Sequence, residues 1–160
     1  MSDYKIWLDG HAIEGAGQIT VINPATEKAF ATIARSDQAL VDKAVAAAIS
    51  AQKLWSAVPI AEKQAVLLAL ADGINARAEE LSRVLTKPLA ESSAEVAYTE
   101  AFIRHFATFD LPVEVLQDDA EKYVELHREP LGVVACIIPW NFPLLIISFK
   151  VPLALLAGNA

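Results

Sequence analysis

From Leu131 to Ala157 the sequence is almost unbroken in apolar character, and this stretch constrains the fold more than any other. Pro139, Pro143 and Pro152 interrupt it and Lys150 sits in its second half, which argues against a single membrane-spanning helix. Residues 132–138 lack alternation and are rich in Val and Ile, the pattern of a strand buried on both faces. Residues 139–143 read as a loop and 144–156 as a buried helix. A buried strand feeding a buried helix is the opening unit of a parallel α/β sheet, and ligands bind such sheets beyond the carboxyl ends of the strands. Here that end is 137–142. One polar side chain lies in it, Asn141, between Trp140 and Phe142. An amide in so dry a setting must find hydrogen-bond partners or lose free energy. Asn141 is therefore either a tie, capping the next helix or pinning the loop, or a donor kept for a ligand.

The remaining composition narrows the class. The chain has 160 residues, enough for one domain with a real core. Its mean hydropathy is +0.36, from an excess of Ala, Leu, Ile and Val. A net charge of −7 leaves no basic patch for phosphates, so nucleic acid is not an expected partner. One cysteine, Cys136, forbids an internal disulfide, and the first residues have no apolar run of signal-peptide length. These features suit a cytoplasmic protein without a membrane partner. His11, His105 and His127 show no metal-ligand spacing.

Upstream, Tyr4 to Leu8 alternates and Asp9-Gly10 is a hairpin dipeptide. Residues 18–22 and 28–34 read as strands around the turn Asn23-Pro24-Ala25-Thr26, forming a small antiparallel element. Four helices are expected downstream. The first, capped by Ser36, runs to Lys53 with Leu40, Val41, Ala44, Val45, Ala48 and Ile49 on its buried face. The next spans 60–77 behind Pro59, and a short one spans 79–86. The fourth spans 92–109 and buries Val96, Phe102, Ile103 and Phe106. Glu91 and Glu95, four apart on that helix, read as a solvated face. Residues 117–121 read as an acidic loop and 123–128 as an exposed edge strand.

The segments Arg128-Glu129-Pro130-Leu131-Gly132-Val133-Val134 and Ile137-Ile138-Pro139-Trp140-Asn141-Phe142-Pro143, with Lys150 and Leu156-Ala157-Gly158-Asn159 beyond them, resemble the aldehyde dehydrogenase superfamily. The Asn23-Pro24-Ala25-Thr26 turn is similar to that family's N-terminal turn. The resemblance covers essentially the whole chain but only the first part of the family's length. It implies an α/β fold: helices, short antiparallel strands and the start of a parallel cofactor-binding sheet. Residues 1–160 would form an incomplete NAD(P)-binding domain, with 122–129 as a strand of an oligomerisation arm. The family oxidises an aldehyde to a carboxylic acid with NAD or NADP, through a cysteine thiohemiacetal and a thioester hydrolysed by glutamate-activated water. Asn141 matches the family asparagine whose amide donates to the developing oxyanion. Ile137, Ile138, Pro139 and Trp140 match the cofactor cleft. Phe142, Leu145, Ile146 and Phe149 match the aldehyde tunnel, and Lys150 matches a lysine near the site. The complete form would be a homo-oligomer.

The chain also departs from the family pattern. The nucleophilic cysteine, the general-base glutamate and the groups that hold the adenosine ribose and pyrophosphate belong beyond Ala160. Cys136 lies within the expected buried strand, where a thiol stays protonated and inert. The chain ends at Gly158-Asn159-Ala160 without a polar tail and reads as interrupted. It is therefore expected to be inactive and poorly soluble alone. The alternative is a non-enzymatic remnant or an interaction module that pairs with a full-length homologue. At Leu85-Thr86-Lys87-Pro88 a short Glu- and Gly-containing insertion usual in the family is missing, which shortens the turn there or shifts the phase of the next helix.

Overall fold

Asp9 and Gly10 both take positive φ, +49° and +74°, as a two-residue type I′ connection demands. They join β2 (Ile6–Leu8) to β3 (His11–Ile13). The computed structural model, which describes residues 2–160, divides the alternating N-terminal segment at Lys5. Ahead of it, β1 (Ser2–Tyr4) pairs in parallel with β5 (Lys28–Arg35). On the other side of β5, β4 (Gly17–Asn23) pairs antiparallel, giving the order β1-β5-β4. The element is therefore mixed rather than antiparallel throughout. Its turn is built by Asn23, whose Oδ1 accepts from the Ala25 amide at 2.9 Å and whose carbonyl accepts from the Glu27 amide at 2.8 Å.

The helices are α1 (Gln38–Ser56), α2 (Ile60–Ala76), α3 (Ala78–Val84), α4 (Leu89–Phe106) and α5 (Pro143–Leu156). The cap of α1 is Asp37, not Ser36, with its carboxylate accepting from the Leu40 amide at 3.0 Å. An ionised acceptor suits the positive end of the helix better than a hydroxyl. The expected buried face of α1 is half-open instead, with Val41, Val45 and Ile49 exposed. It lines a groove of about 280 Å³ shared with Ile6, Leu8, Val133, Val134 and Ala160.

Helix α4 starts and ends three residues earlier than expected, because Pro88 occupies its N-cap position. Its core face is kept. Val96 and Ile103 are buried, and Phe102 packs edge-on against Phe149 of α5 with centroids 4.7 Å apart. The core proper is Leu67 and Ala71 of α2, Ile103 and Ala107 at the end of α4, and Leu156 of α5. Immediately ahead of Lys87, Thr86 takes φ +53°. That conformation is costly for a β-branched residue and favours glycine.

Between α4 and α5, β6 (Glu114–Asp118) and β7 (Tyr123–Leu126) form an antiparallel hairpin. Part of the expected acidic loop is thus strand, and only the turn around Asp119 remains. Its carboxylate accepts from the amides of Glu121 at 2.8 Å and Lys122 at 3.1 Å.

The expected strand at 132–138 is extended but forms no regular ladder. A strand needs a neighbour, and among the described residues the neighbour is one residue long. Ala160 donates to the Gly132 carbonyl at 3.0 Å and accepts from the Val134 amide at 2.8 Å, a single parallel step. Exposure alternates along the segment: 133, 135 and 137 face outward and 132, 134, 136 and 138 are half-buried. One face is covered rather than two, and Cys136 is half-buried rather than sealed in. Among the described residues no helix is long and apolar enough to cross a membrane.

Helix α5 closes in a Schellman arrangement. The Gly158 amide donates to the Leu155 carbonyl at 2.9 Å and the Asn159 amide to the Ala154 carbonyl at 3.0 Å. Gly158 has φ +86°, and a Cβ there would meet Ser56 Cα at 3.3 Å.

Two left-handed positions give opposite outcomes. Thr86→Gly should raise the unfolding free energy by about 1 kcal/mol through relief of strain. Gly158→Ala should lower it by about 1–3 kcal/mol. Urea unfolding of both variants checks the signs. The hairpin turn adds a pH dependence. Hydrogen bonds from the Gln117 side chain and from the Glu121 and Lys122 amides hold the Asp119 carboxyl below its usual range. Its contribution is complete above the unfolded pKa of about 3.9 and is lost as pH falls through the depressed folded value. Amide shifts of residues 117–123 should change in that acid window, and an Asp119→Asn chain should show no such step.

Candidate active site and its anchor

The site is built around the start of α5. Pro143 at the first helical position has no N–H, so the amides of Leu144, Leu145 and Ile146 are the ones that need partners. Ile146 donates to the Phe142 carbonyl at 2.9 Å. No side chain of the N-cap residue Phe142 serves the other two. They are taken by α4: Glu95 Oε1 accepts from Leu144 at 3.0 Å and from Leu145 at 3.2 Å. Glu95 Oε2 accepts from Lys87 Nζ at 2.6 Å. The Glu95 side chain is 0% exposed and that of Lys87 is 19% exposed. An interior carboxylate is tolerable only when its lone pairs are used, and here a cation and a helix N-terminus use them.

Lys87 reaches further. Nζ also donates to the backbone carbonyl of Asn141 and stands 3.9 Å from the centroid of the Phe142 ring. The expected solvated face of α4 is thereby corrected for one of its two acids. Glu91 is exposed, and Glu95 is inside. The signal was present in the helical period: Ser92, Glu95, Val96, Thr99 and Ile103 form one stripe, and all are buried. Thr99 returns its hydroxyl to the Glu95 carbonyl at 2.7 Å and Ser148 its own to Leu145 at 2.6 Å. Small, internally bonded side chains let α4 and α5 approach closely.

Asn141 is exposed, and among the described residues its hydrogen bond is made by its backbone carbonyl and not by its side-chain amide. Glu95 does the capping that Asn141 could have done. Ile137, Pro139 and Trp140 are exposed beside it, with Ile137 at 81% and Trp140 at 89%, while Ile138 is half-buried. Phe142, Leu145, Ile146 and Phe149 share one face of the α5 entry by their spacing. Phe142 is drawn to Lys87 and Phe149 to Phe102. Lys150 meets no carboxylate among the described residues; Nζ donates to the Ile137 carbonyl at 2.6 Å and holds the extended segment against α5. The structure thus brings Asn141, the apolar segment 137–140 and the first turn of α5 to one surface. Cys136 lies on the half-buried side of that segment. Among the described residues no cluster of His, Cys, Asp and Glu could hold a metal ion.

The far end of α5 is tied to the same segment. Asn159, 5% exposed, accepts from the Gly132 amide at 3.0 Å and donates to the Ala154 carbonyl at 3.0 Å. Trp55 Nε1 donates to the Leu155 carbonyl at 2.8 Å. Sequence reasoning assigned neither Asn159 nor Trp55 a structural role.

The chain is 36% identical over 156 residues to 3,6-anhydro-alpha-L-galactose dehydrogenase of Streptomyces coelicolor, covering 90% of this chain and 30% of the relative. It is 34% identical over 167 residues to lactaldehyde dehydrogenase of Escherichia coli, covering 98% and 34% respectively. Among solved structures it matches NADP-dependent glyceraldehyde-3-phosphate dehydrogenase from Bacillus halodurans, complexed with NADP. There the TM-score is 0.93 at 32% identity, over 99% of this chain and 36% of the other. The chain spans about a third of the length of the curated relatives it matches. The family model of the aldehyde dehydrogenase family matches residues 11–160. The chain belongs to the aldehyde dehydrogenase family.

Proposed function

We propose that this chain is the N-terminal portion of an NAD- or NADP-dependent aldehyde dehydrogenase, one that oxidises an aldehyde to a carboxylic acid with the nicotinamide as hydride acceptor. The observation that carries the reading is Asn141: a side-chain amide with no structural partner among the described residues, on a backbone held from two sides. A neutral, fixed donor is what an aldehyde oxygen needs as it takes on charge under nucleophilic attack. The apolar segment of Ile137, Ile138, Pro139 and Trp140, exposed except at the half-buried Ile138, offers one wall for a flat nicotinamide and its ribose. Phe142, Leu145, Ile146 and Phe149 offer one wall for an apolar aldehyde. Lys150 acts behind them by fixing Ile137. Residues 1–160 form an incomplete NAD(P)-binding domain, in which 122–129 belongs to an oligomerisation arm centred on the β6–β7 hairpin.

On this reading the chain supplies a donor without a nucleophile. Given an aldehyde and NAD or NADP, the pure protein should form no reduced nicotinamide. Formation abolished by Cys136→Ser would contradict that. The role of Asn141 is tested by grafting residues 1–160 in place of the matching third of the Escherichia coli lactaldehyde dehydrogenase. In a folded chimaera that oxidises lactaldehyde, Asn141→Ala should lower kcat by about 10²–10³ with little change in KM. Unchanged kcat would remove Asn141 from the chemistry.

A second reading is favoured by the open apolar surface: Leu131 at 91%, Ile137 and Trp140 are exposed together with the face of α1. Such a surface suits an interaction module that seats on a full-length homologue. Co-purification with an intact aldehyde dehydrogenase, without a gain in that enzyme's turnover, would favour it.

A further inference from the structure

We infer that Lys87 and Glu95 are positioning residues for Asn141, forming a clamp, buried at Glu95 and half-buried at Lys87, that fixes the backbone of the donor; this rests on the proposed reading of Asn141. Three observations converge on it. Lys87 does more than neutralise Glu95, because the same ammonium donates to the carbonyl of Asn141 itself. Glu95 holds the next two available amides, Leu144 and Leu145. Between these points lie only Phe142, whose ring faces the ammonium, and Pro143, whose φ is fixed by its ring. The backbone on the carboxyl side of Asn141 is therefore held from its own carbonyl to the first turn of α5, and the freedom left is in its side chain. An oxyanion donor contributes only when it is aimed before charge appears.

The residue before the clamp supports the assignment. Thr86 is held at φ +53° immediately ahead of Lys87. Strain of this kind persists where the surrounding structure over-determines it, often beside a functional group. Here it turns the chain so that Lys87 runs inward between α4 and the loop instead of outward with α3.

The test is by NMR on the 160-residue chain. The Leu144 and Leu145 amides have no partner within α5, so their exchange reports on Glu95 directly. A paired Lys87→Met, Glu95→Leu chain removes both the cation and the acceptor of the clamp and leaves no lone buried charge. It should exchange Leu144 and Leu145 about ten- to a hundredfold faster and move and sharpen the side-chain amide resonances of Asn141. Amides of α4 and of Ile146 should keep their protection. Lys87→Arg should preserve the native Asn141 resonances. If the paired chain does not fold, Glu95→Asp serves: the charge stays but falls short of the amides, and the same two should lose protection. Unchanged Asn141 resonances, or loss of protection spread evenly over α4 and α5, overturns the clamp. None of these readouts needs turnover. A clamp that holds while the Asn141→Ala chimaera keeps full activity refutes the donor and leaves the clamp as architecture.

Discussion

A carboxylate buried where a helix begins is the constraint on which the rest of this structure depends. Glu95 is expensive to bury and is stable there because two amides of α5 and the ammonium of Lys87 take up its oxygens. The arrangement couples three pieces of chain far apart in sequence: the α3–α4 junction, the middle of α4 and the loop entering α5. The apolar core of Leu67, Ala71, Ile103, Ala107 and Leu156 supplies cohesion without direction. The polar tie sets where α5 starts, and with it where Asn141 stands.

The other end of α5 is set with equal care. Gly158 reverses the chain at positive φ, and Asn159 links the last turn to Gly132. Ala160 then makes its single parallel step with residues 132–134. One helix thus connects the beginning and the end of the extended segment beneath the site, so Asn141 sits in the loop between that segment and α5. Beyond that step, residues 135–138 meet no backbone partner among the described residues, and the apolar face of α1 lies open beside them. These open surfaces carry part of the apolar excess seen in the composition.

Much of this was legible in the residues. Asp9-Gly10, Asn23-Pro24, Pro59 and Pro143 announce their turns and helix starts by local chemistry, which tertiary packing does not override. The apolar run at 131–157 announces the unit that carries Asn141. What escaped was long-range. No local rule says that Glu95 caps a helix that begins only at Pro143, or that Lys87 lies over Phe142. The pattern around Glu95 gives burial, through Ser92, Val96 and Thr99, but not the partner. Residues 132–138 read as a doubly buried strand on Val and Ile content alone, whereas a ladder needs a neighbour, and among the described residues Ala160 is the one backbone partner. The cap falls on Asp37 and not Ser36 because, of two adjacent capping residue types, the ionised one suits the positive end of the helix better.

The hydrogen bonds from α5 to Glu95 can be detected themselves. In uniformly labelled protein, scalar coupling across a hydrogen bond connects an amide nitrogen to the carbonyl or carboxyl carbon of its acceptor. Correlations are expected from the Leu144 and Leu145 amides to the Glu95 carboxyl carbon. They should be present in the native chain and absent in the paired Lys87→Met, Glu95→Leu chain, which has no acceptor at that position. Correlations of those amides with a different acceptor, in a folded native chain, would show that a buried carboxylate on α4 does not decide where the helix behind Asn141 begins.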